Sequence, residues 1–343
     1  MKTLWRGPEK DGITQSLLSR FLVCRERFRL LVVEGLKPVD RFNHRIEYGS
    51  MWHLCEEERA KNPKTWSLDP LTQYAQKLVQ KYPESGEQIE HWYQVCKTQF
   101  SIYAKRPRKI CKYLVQEEFF AVPYKLPSGL VVLLRGKWDG VVQRGKILSL
   151  VEHKTKGSIN QEQIVRQLQF DLQTMLYAVC LEIAAKTDDR FPTSRVRNIH
   201  YNVVRRPLSG GKGSIRQHKP TKSNPRGETK EHFYGRVAEG IMEDPDYYFM
   251  SWDVALTKAD IDAFRNQFLD PILESLCEWW DWVICVPDDP WRGGKNSQCH
   301  WRIPYGFWNI LAEGGADDLD AYLDTGSKIG LEHTETLFPE LEE

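Results

Sequence analysis

The sequence predicts an α/β fold in which a group of strands is flanked by helices. Residues 130–142 and 147–155 are two runs rich in apolar and β-branched residues, and Gly145 lies between them. Two such runs joined by a short glycine-containing turn are typical of a β-hairpin. Residues 161–184 follow with a helical spacing of apolar residues, at Leu168, Leu172, Leu176 and Val179.

Periodicity predicts further elements on both sides of this region. Near the N-terminus, Thr14 or Ser16 is expected to cap a helix that presents Leu17, Phe21, Cys24 and Phe28 on one face. We expect helices in residues 46–61, 63–83, 86–106, 229–243 and 257–283, and strands in residues 111–124, 194–206 and 247–254.

The composition is that of a globular protein. The chain has 343 residues, 41% of them hydrophobic, which suits one large domain or two small ones. The net charge of +1 gives no overall sign of a nucleic-acid partner. No apolar run approaches the ~18 residues of a membrane span. The N-terminus lacks the apolar core of a signal peptide, and the eight cysteines contain no Cys-x-x-Cys pair, so we expect a reduced, cytoplasmic protein.

Two carboxylates and a lysine are predicted to meet at one end of the hairpin. Residues two apart on a strand share a face, so Glu152 and Lys154 point together and His153 points away. Asp139 lies on the neighbouring strand, from which it can approach Glu152. Buried charges require a partner, and two close carboxylates favour a cation between them. Oxygen ligands suit Mg²⁺ or Mn²⁺.

Four motifs occur in an order that resembles the PD-(D/E)XK nuclease superfamily, specifically its RecB-like branch. They are Gly49-Ser-Met-Trp-His53, Gly136-x-x-Asp139, Glu152-x-Lys154 and Gln173-x-x-x-Tyr177. Glu152 stands where this branch more commonly carries Asp. The resemblance implies a restriction-endonuclease-like core, with a central mixed β-sheet flanked by helices and additional helices at both ends.

The resemblance also implies a function and a role for each motif residue. The expected activity is that of a metal-dependent DNA nuclease, an exonuclease acting in recombination, repair or replication. Asp139, Glu152 and the backbone carbonyl of His153 would bind Mg²⁺ or Mn²⁺, and His53 would add a nitrogen ligand. Lys154 would hold the attacking water, while Gln173 and Tyr177 would border the site. A glutamate, Glu117 or Glu118, is expected nearby. No Gly-x-x-x-x-Gly-Lys-Ser/Thr motif is present, so ATP-driven unwinding would need a helicase or recombination partner.

A local excess of positive charge lies late in the chain. Residues 195–232 contain ten Lys or Arg against two acids, and residues 207–228 have the composition of a loop. Basic residues on a loop suit phosphate contacts, although a solvated surface loop is the alternative. The candidates for DNA binding, single-stranded or at duplex ends, are Arg205, Arg206, Lys212, Arg216, Lys219 and Lys222.

The predicted organisation is one nuclease domain over residues 1–310, followed by an acidic tail over 311–343. The domain has a helical N-terminal part, about residues 12–106, and the basic loop as an insertion. Some RecB-like nucleases bind an iron–sulfur cluster through one early and three late cysteines, here Cys24, Cys277, Cys285 and Cys299. The late spacings of eight and fourteen residues are wider than such clusters use, and this argues against a cluster.

Two other interpretations remain open at this point. A non-catalytic DNA-binding or scaffold protein on the same fold would bind without turnover. An unrelated enzyme would use Asp139, Glu152 and Lys154 only as a structural network of ion pairs. Metal binding distinguishes the second of these, because a purely structural network has no reason to bind Mn²⁺.

Overall fold

The computed structural model describes residues 4–38, 41–107, 113–207, 217–222, 225, 227–285, 331–334 and 336–338. The strands in these residues are β1 (Ile13–Thr14), β2 (Leu36–Pro38), β3 (Val115–Lys125), β4 (Val131–Arg144), β5 (Ile147–Lys156), β6 (Val196–Arg205), β7 (Phe249–Ala255) and β8 (Leu331–His333). The α-helices are α1 (Gln15–Val23), α2 (Arg25–Phe28), α3 (His44–Lys61), α4 (Asp69–Lys81), α5 (Gly86–Ala104), α6 (Gln161–Gln169), α7 (Leu172–Ala184), α8 (Lys230–Glu243), α9 (Pro245–Tyr248), α10 (Lys258–Phe264) and α11 (Asp270–Cys285).

Six of the strands form one mixed sheet in the order β1-β4-β5-β6-β7, with β3 also paired to β4. The pairs β1–β4 and β5–β6 are parallel, whereas β3–β4, β4–β5 and β6–β7 are antiparallel. Strand β3 pairs with β4 along nearly its whole length. Strands β1 and β5 must therefore share the opposite edge of β4, one after the other. This arrangement confirms the predicted α/β fold with a mixed sheet flanked by helices.

The hairpin on which the sequence prediction rested is β4–β5. Pairing runs from Arg144 opposite Ile147 to Gly140 opposite Val151, and Gly145 takes a left-handed φ of 61° in the turn, which glycine adopts without strain. Thr14 caps α1 by accepting a hydrogen bond from the Leu17 N–H. The other expected helices and strands are present with shifted ends, except that the N-terminal helix breaks at Cys24, whose backbone is extended, and a π-helical turn at Arg265–Leu269 interrupts the helix expected over residues 257–283.

One predicted helix is wrong in a way that matters for the site. The continuous helix expected over residues 161–184 is two helices, α6 and α7, separated at Phe170 and Asp171. Asp171 has an extended backbone, and its side chain accepts a hydrogen bond from the Thr174 N–H. This competing side-chain bond starts a new helix, because an aspartate satisfies a free N–H better at a cap than in a helix interior.

The sheet has an apolar layer on each face. Val203 packs in the cluster that includes residues of α1, α7 and α11, whereas the next residue, Val204, packs in the cluster formed with α3, α4, α5 and α8. Successive residues of a strand point to opposite faces, so one strand contributes to both layers. The helix α3 therefore lies across the sheet from α7, and both reach the same edge of β4. None of the helices in the described residues combines the length and apolarity that a membrane span requires.

Part of the segment predicted as an acidic tail packs against the domain. Leu331–His333 pairs antiparallel with β2, and the buried Phe338 ring lies 4.5 Å from the Arg135 guanidinium. The remainder of residues 311–343 lies outside the described residues. The division into a domain and a tail therefore stays a prediction.

Gly136 provides a test of how α7 is held against β4. A Cβ at this position would lie 2.6 Å from Phe120 Cζ and 2.8 Å from Tyr177 Cε1, so both rings would have to move. We expect Gly136→Ala to lower the free energy of unfolding by about 1–3 kcal/mol, measured by urea denaturation. Gly86→Ala is the matched control, since nothing lies within 4 Å of its added Cβ. Equal stability of the two variants would contradict this packing.

Candidate metal centre and active site

The candidate site lies where β4 and β5 separate. Their pairing ends at Gly140 and Val151, so Asp139 and Glu152 are the first residues beyond it. On the same edge of β4, β1 pairs only with Leu134 and Arg135. The stretch between these contacts, residues 136–139, borders a cleft of about 590 Å³. The cleft is lined by residues from seven elements (β1, α1, α3, α4, β3, β4 and α7), among them Ser16, His53, Glu117, Lys137, Gln173 and Tyr177.

Three potential metal ligands meet in this cleft. One ligand atom each of His53, Glu117 and Asp139 lies within 4.8 Å of the other two. His53 Nδ1 is 3.2 Å from Glu117 Oε1 and 3.8 Å from Asp139 Oδ1. Two carboxylates and an imidazole form a donor set that suits Mn²⁺ as well as Mg²⁺. Among the described residues, this is the group of three His, Cys, Asp or Glu side chains that lie close enough together to hold one ion.

Glu117 reaches the cleft because its backbone is unusual. The register pairs Gln116 with Gly140 and Glu118 with Trp138, which places Glu117 opposite Asp139. Glu117 has a φ of 47°, a left-handed conformation that costs on the order of 1–3 kcal/mol for a residue other than glycine. This rotation carries its side chain into the site, where only 4% of it is exposed and Oε2 lies 3.1 Å from Lys137 Nζ.

The sequence left open whether Glu117 or Glu118 belongs to the site. Glu118 points outward, where its carboxylate forms an ion pair of 2.7 Å with Arg190. Strand alternation predicts that the two side chains face opposite ways, but it cannot say which one faces inward. The left-handed φ of Glu117 is a local distortion, and no residue type in this stretch signals it.

Asp139 is held by the backbone of the neighbouring strand. The His153 N–H donates a hydrogen bond of 2.8 Å to Asp139 Oδ2, which leaves Oδ1 facing His53. Strand pairing ends at Gly140 and Val151. The bond to Asp139 therefore satisfies a buried N–H that lies beyond the paired residues. Burial, together with the negative charges of Glu152 and Glu117, raises the pKa of Asp139 from 3.8 to about 8. The carboxylates therefore repel each other, and a cation among them would relieve that repulsion.

His53 carries positive charge in the absence of a metal. Burial would lower its pKa, but Asp139 and Glu117 raise it from 6.5 to about 10. The imidazolium therefore balances part of the charge of the carboxylates. The helix α3 lies against β5 at Gly49, one turn before His53, where an added Cβ would lie in ordinary contact, 3.5 Å from Thr155 Oγ1.

Lys154 is surrounded by oxygen atoms at the edge of the same site. Its Nζ lies 2.8 Å from Glu152 Oε1, donates to Gln173 Oε1 at 2.8 Å, and is 3.6 Å from Asp171 Oδ2. Burial would lower the pKa of Lys154, yet Glu152 and Asp171 hold it above its usual value. Lys154 therefore remains an ammonium, pointing with Glu152 to one face as the sequence predicted.

Asp171 was not singled out from the sequence. It begins α7 as its N-cap and also lies beside the Lys154 ammonium, so it fixes Gln173 relative to Lys154. A signal was present, since an Asp inside a helical pattern favours a cap over a helix interior. The apolar periodicity of residues 161–184 concealed it.

Tyr177 and His153 lie on opposite sides of β5. Tyr177 lines the cleft one turn after Gln173, and burial raises the pKa of its hydroxyl, so it remains protonated. His153 faces away, as predicted, with Nδ1 3.9 Å from Glu56 Oε1. Burial lowers the pKa of His153, and the ring is therefore neutral. Its contribution to the site is the backbone N–H that holds Asp139.

The predicted ligand set and the observed group of three overlap in part. His53 and Asp139 belong to both, and Glu117 joins them in the structure. Glu152 is not in that group, because its Oε1 contacts Lys154. Metal binding by Glu152 and by the His153 carbonyl stays a prediction.

The predicted DNA-binding residues fall into four groups. Arg205 has a structural role, since its guanidinium donates to the carbonyls of Tyr247 and Ile159, both at 3.2 Å. Arg206 is buried, whereas Lys219 and Lys222 are exposed. Lys212 and Arg216 lie outside the described residues.

The cysteines proposed for a cluster are also only partly described. Cys24 caps α2 and is disulfide-bonded, so the expectation of a fully reduced protein is wrong at this residue. Cys277 is a buried free thiol. Cys285 ends α11, with its side chain outside the described part. Cys299 lies wholly outside it, so the prediction on the cluster stays untested.

Comparison with known proteins gives one family. The profile of the PD-(D/E)XK nuclease superfamily matches residues 13–272, which include every residue of the cleft described above. No curated protein matches the chain.

Metal binding at this site should depend on pH. Asp139 and His53 have raised pKa values, about 8 and about 10, so protons compete with the metal at low pH. Raising the pH removes those protons. It also lowers the free energy of unfolding of the metal-free protein, because a pKa that is higher in the folded than in the unfolded state stabilises the fold only while the group is protonated. We expect the increase in melting temperature caused by Mn²⁺ to be small at pH 6 and large at pH 9, measured by differential scanning fluorimetry.

The control for this experiment is Glu118→Gln, which removes the neighbouring outward carboxylate and should respond to Mn²⁺ as the wild type does. At 100 times the dissociation constant, a bound ion stabilises by about 2.7 kcal/mol. An increase that is equal at both pH values, or that survives in His53→Ala with Asp139→Ala, would contradict the assignment of the metal site.

Proposed function

The chain belongs to the PD-(D/E)XK nuclease superfamily, and from this premise we propose that it is a Mg²⁺- or Mn²⁺-dependent deoxyribonuclease. Its reaction is the hydrolysis of phosphodiester bonds in DNA. The proposal includes the finer assignment to the RecB-like branch, with exonuclease activity in DNA recombination, repair or replication, in the cytoplasm. A helicase or recombination protein would be its partner where unwinding is needed.

The observation that carries the proposal is the position of a charged lysine beside a metal-ligand group. His53, Glu117 and Asp139 offer ligand atoms within 4.8 Å of one another, and Lys154 is an ammonium held by Glu152 and Gln173. Phosphodiester hydrolysis requires charge neutralisation at the phosphate and a positioned nucleophile. The ligand group in the cleft and Lys154 at its edge would supply one requirement each, and this supports the proposal.

The donor atoms fit a divalent ion. Burial and the charges of Glu152 and Glu117 raise the pKa of Asp139 although His53 lowers it, so a divalent ion would favour the ionised carboxylate. His53, Glu117 and Asp139 would hold the ion, with Glu152 and the His153 carbonyl as further ligands. When bound, a divalent ion supplies an activated water and neutralises charge on the phosphoryl oxygens.

The residues of the chain contribute orientation and fixed charge. The His153 N–H orients the Asp139 carboxylate, so Oδ1 stays available on the cleft side. Gln173 and Glu152 hold the Lys154 ammonium where it can orient the attacking water and stabilise the negative charge that develops on the phosphate. Tyr177, still protonated, adds a hydroxyl to the wall of the cleft.

Substitutions in the cleft should abolish cleavage without unfolding the protein. Asp139→Ala, Glu152→Ala and Lys154→Ala each remove a group that acts on the reacting phosphate or its metal. We expect each variant to lose at least about 100-fold in metal-dependent DNA cleavage, with a circular dichroism spectrum unchanged. Full activity in any of the three would remove the basis of the assignment.

Glu117 and Glu118 offer a paired test on adjacent positions. Glu117→Gln removes a charge from the ligand group, so cleavage should fall sharply. Glu118→Gln removes a charge from the surface ion pair with Arg190, and its activity should match the wild type. Equal activities in the two variants would show that Glu117 is not part of the site.

Exonuclease action is tested by the form of the substrate. An exonuclease needs a free end, so it should degrade end-labelled linear DNA in Mn²⁺ while closed circular DNA of the same sequence stays intact. Cleavage of both forms at similar rates would identify an endonuclease. Binding of DNA without turnover in either form, with Mn²⁺ bound, would instead favour a non-catalytic DNA-binding protein on this fold.

A further inference from the structure

A buried arginine near the site has no ion-pair partner among the described residues. Arg206 follows the last residue of β6 and is only 8% exposed. Its backbone N–H donates to the Lys156 carbonyl at 2.9 Å, but Nε and Nη1 of its guanidinium are buried without a hydrogen-bond partner. Nη2 is not among those buried atoms, so the guanidinium meets solvent through one edge. A buried charge of this kind destabilises the fold unless something compensates it.

The contrast with Arg205 shows that the local fold supplies partners where it uses an arginine structurally. The Arg205 guanidinium donates to two carbonyl oxygens and stacks on the Tyr247 ring, 3.9 Å from its centroid. For Arg206, the next residue, Nε and Nη1 have no hydrogen-bond partner, and no ion pair joins its guanidinium to an acid among the described residues. Its pKa is lowered by burial, and the charge of Arg45 lowers it further.

The groups that face Arg206 belong to the first turns of α3. The charges of Arg206 and Arg45 both act on His44, whose pKa is lowered by burial and by these two guanidinium groups. Glu47, the acid of the first turn, is occupied by a hydrogen bond of 2.6 Å from the Tyr74 hydroxyl. The start of this 18-residue helix adds the positive end of the helix dipole, whereas the N–H groups of Arg45, Ile46 and Glu47 already donate to Asn43.

Two hydrogen bonds fix this helix end to the end of β6. The Tyr48 hydroxyl donates to Gln99 Oε1 at 2.5 Å, and Gln99 Nε2 donates to the Arg205 carbonyl at 2.8 Å. These bonds hold Tyr48, Gln99 and Arg205 in place, so the N-terminus of α3 has a fixed position relative to Arg206. The acid in the first turn of α3 is Glu47, and it is already bonded to Tyr74. The positive groups held at this helix end are therefore suited to an anion.

We propose that Arg206, together with Arg45 and the N-terminal turn of α3, binds a phosphate group of the nucleic-acid strand whose scissile phosphate lies at the metal centre. The phosphate is either an internal phosphodiester or a terminal monophosphate, since both present the same oxygens to a guanidinium. Binding of a phosphate requires only these residues, whereas its assignment to the substrate strand rests on the proposed nuclease function.

The position of the site relative to the metal centre fits one strand of nucleic acid. Arg45 and His53 are eight residues apart on α3, which is about 12 Å at about 1.5 Å per residue. Along β5, Glu152 and Lys156 are four residues apart, which is about 13 Å at about 3.3 Å per residue. Phosphates in one strand of a duplex are about 3.4 Å apart along the axis, so the two sites are a few nucleotides apart.

The first experiment tests phosphate binding without any cleavage. Inorganic phosphate, titrated in chelator at constant ionic strength, should raise the melting temperature of the wild type and of Lys146→Met but not of Arg206→Met. Lys146 is the matched control because it is an exposed cation in the β4–β5 turn, at the opposite end of β5. Arg206→Met without phosphate should melt at the same temperature as the wild type or higher, because it removes an unpaired buried charge. An equal effect of phosphate on Arg206→Met and the wild type would overturn the proposal.

The second experiment assigns the phosphate to a position in the strand. Internally labelled oligonucleotides with a 5′-phosphate, a 3′-phosphate or hydroxyls at both ends are bound in chelator and followed by fluorescence anisotropy. We expect Arg206→Met to weaken binding by about tenfold or more and to reduce the slope of log K against log salt by about one. An equal loss on all three oligonucleotides identifies an internal phosphate, and a loss confined to one end identifies a terminal phosphate.

The outcomes separate this inference from the proposed function. Because no metal is present, a protein that proves inactive on DNA still gives a clear answer in both experiments. Wild-type affinity of Arg206→Met for all three oligonucleotides would overturn the assignment to the substrate strand, even if inorganic phosphate binds at Arg206. Arg206→Lys, which keeps the charge but loses the planar fork, should recover part of the affinity.

Discussion

The hydrogen bond from the His153 N–H to Asp139 is the interaction on which the site depends. It forms at the point where β4 and β5 stop pairing, and it holds a carboxylate in the gap that the separation creates. Without that gap, Asp139 and Glu152 would face each other inside a regular sheet, with no access for a metal or substrate. With it, α3 and α7 reach the same opening from opposite faces and deliver His53, Gln173 and Tyr177.

The site concentrates negative charge that the fold alone does not neutralise. Asp139, Glu117 and Glu152 lie close together and are largely buried, with His53, Lys137 and Lys154 beside them. The pKa of Asp139 is nevertheless raised by burial and by Glu152, so the ionised carboxylate is not fully compensated. Strain adds to this, because Glu117 holds a left-handed backbone. Unfavourable features of this kind persist in proteins where function requires them. The unpaired guanidinium of Arg206 is explained in the same way if it binds an anion.

Much of this arrangement could be predicted from the sequence, and the exceptions have physical causes. The hairpin, the facing of Glu152 and Lys154, and the helix with Gln173 and Tyr177 follow from periodicities of two and of about four residues. Glu117 could not be separated from Glu118, because a single left-handed residue leaves no trace in composition. The break at Asp171 was missed because apolar spacing outweighed one capping residue. Arg205 and Arg206 looked alike as basic residues, and only packing distinguishes a structural arginine from one that is left unpaired.

The central claim is that a divalent ion binds among His53, Glu117 and Asp139, next to the Lys154 ammonium. Anomalous diffraction from crystals soaked in Mn²⁺ tests it most directly, since the method locates the ion without assuming its ligands. We predict an anomalous peak within bonding distance of all three side chains, at about 2.0–2.3 Å from their N and O atoms. A peak elsewhere in the protein, or none at this position with the site accessible, would contradict it.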